Sequence, residues 1–124
     1  MGAFMKKKSS DLLGEWRMEE MEMWDRDFMD MEVPAYIRFE KDGTSEFQFG
    51  LVKGWIDHRA VVRGGKPALE FSWEGSDEMD PATGRGWAVL NDNGNLEGRL
   101  VFHLGDESGF IATRKRVRSK GKSR

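Results

Sequence analysis

The sequence predicts a single all-β domain, an antiparallel up-and-down barrel or strongly bent sheet of about eight short strands with one short helical turn. Two observations carry this. Segments of the 124-residue chain alternate apolar and polar side chains with period two, as half-buried strands do. Turn sequences recur between them at strand-length intervals: Asp42-Gly43, Gly64-Gly65, Asn93-Gly94 and the stretch from Gly105 to Gly109. A meander of short strands protects its unpaired edges best by closing on itself.

In chain order, the head Met1–Ser10 has no periodicity and is expected to be disordered. The domain proper is expected over residues 11–117. A first strand is expected from Glu15 to about Met23, with a bulge near Glu19-Glu20 where the parity of the apolar residues changes. A helical turn from Trp24 to Asp30 follows, and Pro34 ends the connection. Ala35, Ile37 and Phe39 then alternate with polar neighbours, as do Phe47, Phe49 and Leu51. From Gly50 to Arg63 the pattern allows one long strand bent at Gly54 or two short ones. Leu69, Phe71 and Trp73 form the next inward row, and Leu96, Gly98, Leu100, Phe102 and Leu104 the last clear one. The tail from 118 to 124, Arg-Ser-Lys-Gly-Lys-Ser-Arg, is expected to be disordered.

Charge is unevenly spread. All 22 acidic residues lie between Asp11 and Glu107, where only ten basic residues oppose them, a net charge of −12. Ten basic residues lie outside that segment, three in the head and seven from Arg114 to Arg124. An acidic body disfavours nucleic acid over most of its surface. No cysteine is present, which excludes disulfides and thiolate metal sites. No apolar run suits a secretory signal or a membrane span, so a cytoplasmic protein without membrane partners is expected.

Gly14-Glu15-Trp16 opens the first strand, and Arg114 and Arg116 lie in or beyond the last. This arrangement resembles that of the calycins, the lipocalins and fatty-acid-binding proteins. The resemblance implies a barrel end closed by Trp16, with Arg114 or Arg116 packed across its ring and Gly14 beside it. The helices and disulfide typical of those families are not evident. The stretch from Glu70 to Trp87 is also similar to small uncharacterised bacterial proteins, a resemblance that implies no activity.

Three groups of residues invite chemistry. Trp55, Phe47, Phe49, Phe71, Trp73 and Trp87 would either line a pocket for a small apolar or planar ligand or fill the barrel. Asp77, Glu78 and Asp80, with Glu74 nearby, have the oxygen ligands suited to Ca²⁺ or Mg²⁺, or a rim for a basic partner. Met79 and Pro81 break the EF-hand spacing, and an ordered turn starting at Asp80-Pro81 and ending at Gly84 is the competing reading. His58 and His103 with Asp57 are the third group, but strand parity sets His103 toward solvent and His58 opposite Asp57. Asp57, placed on the inward side with Trp55, would need Arg99 or Arg38 as a partner. The stretch around Gly64-Gly65-Lys66 fails as a phosphate loop because Ala60 and Pro67 occupy key positions. The sequence therefore predicts a non-enzymatic barrel, without a cofactor, that binds a small ligand or a protein partner. The alternatives are a small enzyme at the barrel mouth and a regulatory module using the acidic loop and basic tail.

Overall fold

A computed structural model describes residues 7–115. Eight strands run in sequence order: β1 Gly14–Met21, β2 Tyr36–Phe39, β3 Glu46–Phe49, β4 Val52–Arg63, β5 Lys66–Asp77, β6 Asp80–Leu90, β7 Leu96–Phe102 and β8 Glu107–Arg114. Each pairs antiparallel with the next, and β8 pairs with β1, so the sheet is a closed barrel. The all-β expectation holds, and closure rather than an open bent sheet is the outcome. The register of β1 against β8 shifts between Met18 and Glu20, where the sequence changes parity.

One barrel end carries the β1–β2 connection and the turns after β3, β5 and β7. The other carries the turns after β2, β4 and β6, and both ends of the described chain. A 3-10 turn, Ser9–Leu12, precedes β1. Order therefore begins inside the head that composition marked as disordered. Leu12 is fully buried there, and the Asp11 carboxylate accepts from the Lys8 backbone N–H at 2.9 Å. The rest of the expected head, residues 1–6, and the tail from 118 lie outside the described residues.

Helical structure between β1 and β2 is limited to α1, Arg26–Met29. Asp25 caps it by accepting from the Phe28 N–H at 3.0 Å. Trp24 and Phe28 lay their rings against Phe49, with Trp24 4.9 Å from it centroid to centroid, and so cover this end of the core. The connection is tied to β1 by a two-pronged Arg17–Asp30 pair, both contacts 2.7 Å. The Arg17 hydrogen bonds, aided by one from the Ala35 N–H, hold the Asp30 carboxyl down at about 2.

The core is distinctive for where its rings sit. Trp73 packs against Gly84 and Phe71 against Gly86, on the neighbouring strand β6. A Cβ at Gly84 would lie 2.8 Å from Trp73 Nε1 and overlap the Val101 carbonyl oxygen. Gly54 is likewise covered by the Phe47 and Trp73 rings, and Gly98 by Phe110. Pairing a large inward residue with none at all lets long strands bend tightly around a narrow interior.

Strand β4 corrects part of the sequence reading. It is one strand of 12 residues. Gly50-Leu51 is a two-residue turn, with Gly50 at φ 56°, and Phe49 pairs directly with Val52. Paired residues share a face, so Val52, Gly54 and Ile56 point inward and Trp55 and Asp57 point outward. The inward alternation of Phe47 and Phe49 therefore ends at Phe49, and Leu51 belongs to the turn rather than to the inward row. Similarly, β7 ends at Phe102, and Leu104 is 94% exposed in the following turn.

Two outcomes follow. Gly84→Ala should lower stability by about 1–3 kcal/mol through overpacking, measured by urea unfolding, while Gly94→Ala, whose Cβ meets nothing within 4 Å but sits at φ 88°, reports backbone strain alone. A Gly84→Ala loss no larger than that of Gly94→Ala counts against ring-on-glycine packing. Asp30 is depressed in the folded state, so its contribution is present above the unfolded carboxyl value of about 3.9 and lost as pH falls through about 2. Asp30→Asn should lower stability at pH 7 by about 1 kcal/mol and flatten the acid limb of the stability curve between those values.

Candidate functional site

The barrel end at the chain termini is closed by Trp16, 1% exposed. Its indole Nε1 donates to the Leu12 carbonyl at 2.9 Å. The Arg114 guanidinium lies over the ring, 4.0 Å from its centroid, and donates to the Leu13 carbonyl at 2.6 Å and the Asp11 carbonyl at 2.5 Å. Gly14 sits at φ 111°, and a Cβ there would lie 2.7 Å from an Arg114 nitrogen. The three residues singled out for this end thus meet in one cluster. It joins the 3-10 turn, β1 and β8 by packing, not by chemistry.

Of the six aromatic residues proposed for an interior pocket, four face inward. Phe47 and Phe49 are fully buried, Phe71 is 5% and Trp73 3% exposed. Phe47 stacks on Phe49 and meets Trp73 edge-on at 5.0 Å, and Trp73 meets Phe102 at 5.1 Å. These rings pack on one another and fill the space that a ligand would need. The Trp73 Nε1–H is the one buried side-chain polar atom without a hydrogen-bond partner among the described residues.

Trp55 and Trp87 lie elsewhere, on the outside of the barrel. Trp55 is 53% exposed, with the Lys53 ammonium 5.8 Å from its ring centroid. Trp87 is half-buried beneath the Arg63 guanidinium, 4.1 Å away. Between them the long strands β4, β5 and β6 form a groove with two adjoining clefts of about 680 and 530 Å³. The register fixes what lines it. One cross-strand row is Trp55, Glu74 and Thr83, the next Asp57, Ser72 and Arg85, and the third Arg59, Glu70 and Trp87. The small Ser72 at the centre leaves the hollow, since its neighbours in the row carry longer side chains. Asp57, Glu74 and Arg85 make no ion pair among the described residues, whereas Arg59 reaches Glu70 at 3.4 Å. Asp57 is thus an exposed groove residue, not a buried one. Its expected partners are engaged elsewhere, Arg99 with Glu22 and Glu107, and Arg38 with Glu40 and Glu46.

The acidic stretch is not a loop. β5 and β6 continue until Asp77 pairs with Asp80, leaving Glu78-Met79 as a two-residue turn with both residues at positive φ. Pro81 and Gly84 are strand residues, so the turn expected from Asp80 to Gly84 does not exist. Asp77, Glu78 and Asp80 do not converge. Among the described residues no group of three or more His, Cys, Asp or Glu side chains is placed to hold a metal ion. Strand pairing accounts for this, because it spreads the carboxylates along the hairpin instead of folding them round a point.

The histidines remain apart. His58 Nε2 is 2.8 Å from the Glu40 carbonyl, and its ring meets Phe39 edge-on. His103 is exposed at the far rim of the groove, beyond Thr83, whose carbonyl accepts from the His103 N–H. Sequence reasoning missed Ser72, Thr83 and Arg85 as groove residues. The parity set by Phe49 and Val52 across Gly50-Leu51 is the signal that would have found them. No helix among the described residues is long and apolar enough to cross a membrane. No protein-family model matches the chain, and no curated protein matches it significantly.

Trp16→Ala should cost about 3–5 kcal/mol, as deletion of large buried aromatics does. Arg114→Ala should cost less, because the ring stays buried. Chemical denaturation of both variants checks this, and a Trp16→Ala loss below about 1 kcal/mol would show that the indole does not close the barrel end.

Proposed function

We propose that this chain is a calycin-like cytoplasmic barrel that works by binding rather than catalysis, and that it takes a small ligand with a flat face on its outer surface, between Trp55 and Trp87. The observation that carries this reading is the contrast between inside and outside. The inward rings are packed on one another, while an indole 53% exposed stands over an open groove. Large exposed aromatics beside unpaired polar groups are the ordinary make-up of recognition sites. The calycin likeness is supported by the stacking of Arg114 on Trp16 at the closed end. Binding is favoured over catalysis because His58 is engaged by a backbone carbonyl and stands apart from His103. A protein partner is the second reading, favoured by Met79 and Leu104, 93% and 94% exposed on adjacent turns at the α1 end.

The test is an NMR screen of planar aromatic and alicyclic fragments against the full chain. Shifts at the Trp55 and Trp87 indoles and the Ser72 and Arg85 amides are expected. Shifts centred on Trp73, Phe47 and Phe71 would place the ligand inside, and shifts centred on Met79 and Leu104 would favour the second reading. Trp55→Ala should leave stability within about 0.5 kcal/mol and abolish the groove shifts.

A further inference from the structure

Resting on the reading of the groove as the binding site, we propose that its ligand is a neutral oligosaccharide. The groove's charges balance: Asp57, Glu70 and Glu74 stand against Arg59, Arg63 and Arg85. A lining of that kind gives no net attraction to a phosphate, a nucleic acid or a polyamine. It does place carboxylate acceptors, guanidinium donors and the Ser72 and Thr83 hydroxyls side by side. A sugar hydroxyl both donates and accepts, so it is the group that such a mixed lining satisfies. Asp57, Glu74 and Arg85 have no ion-pair partner among the described residues and are free to make those bonds.

The aromatic component fits the same chemistry. A pyranose has a flat face of C–H bonds, and the negative face of an indole attracts those weakly positive hydrogens. Trp55 offers such a face in solvent, and Trp87, held by Arg63, forms the opposite wall. The register sets them two strands and four residues apart, about 16 Å at ordinary strand spacing. That span suits a short chain of sugar rings better than a single ring. The groove is open along its length, as a chain running through it requires.

The rival occupants fit less well. An extended peptide binds a sheet by pairing with a free edge, and within the groove β4, β5 and β6 pair with one another and leave none between them. On the outer face its backbone groups would have to be satisfied by side chains alone. A lipid tail would lie against carboxylates and guanidinium groups and gain little from burial.

The experiment is a titration of the full chain with a panel of neutral di- to hexasaccharides. The panel contains α- and β-linked glucans, xylan, mannan and chitin fragments, with heparin oligosaccharides as the anionic control. Binding is followed by calorimetry and by the Trp55 and Trp87 indole resonances. At least one neutral member is expected to shift both indoles, with longer chains binding more tightly than the disaccharide. Trp55→Ala and Arg85→Ala should each weaken binding about tenfold or more with the melting temperature unchanged, since both side chains are exposed. Binding of the heparin fragments alone, equal affinity in the two variants, or no binding by any neutral member would overturn the proposal. The aromatic and alicyclic fragments separate the two levels. If they shift Trp55 and Trp87 while no saccharide does, the groove stands and the saccharide class falls. If neither shifts them, both fall.

Discussion

Trp73 lies directly on the backbone of Gly84, and Phe71 on that of Gly86, with no Cβ between ring and chain. Most other features of the molecule depend on this contact. It allows three strands of 11 or 12 residues to curve round an interior too narrow for facing pairs of large side chains. It also lays the rings along the inside of the wall, where Trp73 meets Phe47 and Phe102 and Phe71 meets Phe39. On the outer face of the same strands the small Ser72 stands between the longer Asp57 and Arg85, and Asp57, Glu74 and Arg85 make no ion pair among the described residues.

Much of the architecture was legible in the sequence because period-two alternation and turn dipeptides are local signals. The inward rows of Ile37 and Phe39, of Phe71 and Trp73, and of Leu96 and Leu100 were all visible, as were the bulge in β1 and the helical turn after it. The site was not legible, for one specific reason. In β4 the apolar and polar residues do not alternate cleanly: Trp55 is apolar and faces out, and Gly54 has no side chain and faces in. Pattern alone could not fix the parity there, and parity decides whether an aromatic residue belongs to a core or to a surface. The tight turn at Gly50-Leu51 fixed it instead, through the pairing of Phe49 with Val52. The acidic hairpin was misread for a related reason. Asp-Pro and Gly signal turns in isolation, but pairing over ten consecutive positions of β5 and β6 overrides them.

The two barrel ends are closed by unlike means. Near the termini, Trp16, Arg114 and the 3-10 turn form a compact joint of stacked and hydrogen-bonded groups. At the other end, the short helix lays Trp24 and Phe28 over the core and is anchored by the Arg17–Asp30 pair. Acidic residues crowd this second end, where Asp25, Asp27 and Glu32 of the long connection join Glu78 and Asp106 of the turns. At the first end the turns mix Lys41 with Asp42 and set Lys66 and Arg63 against Asp92, so the two ends of the described barrel differ in charge as well as in closure.

Closure has a temporal side as well. The seam of the barrel joins β1 to β8, so Trp16 pairs with Arg114 across almost the full length of the domain. A ribosome delivering this chain would release seven strands before the eighth could complete the ring. Throughout that interval β1 would have only one neighbour and an open edge. Adjacent hairpins can form as they emerge, but the end joint waits for residue 114. Its late assembly makes the β1–β8 seam the last pairing of the barrel to close during synthesis.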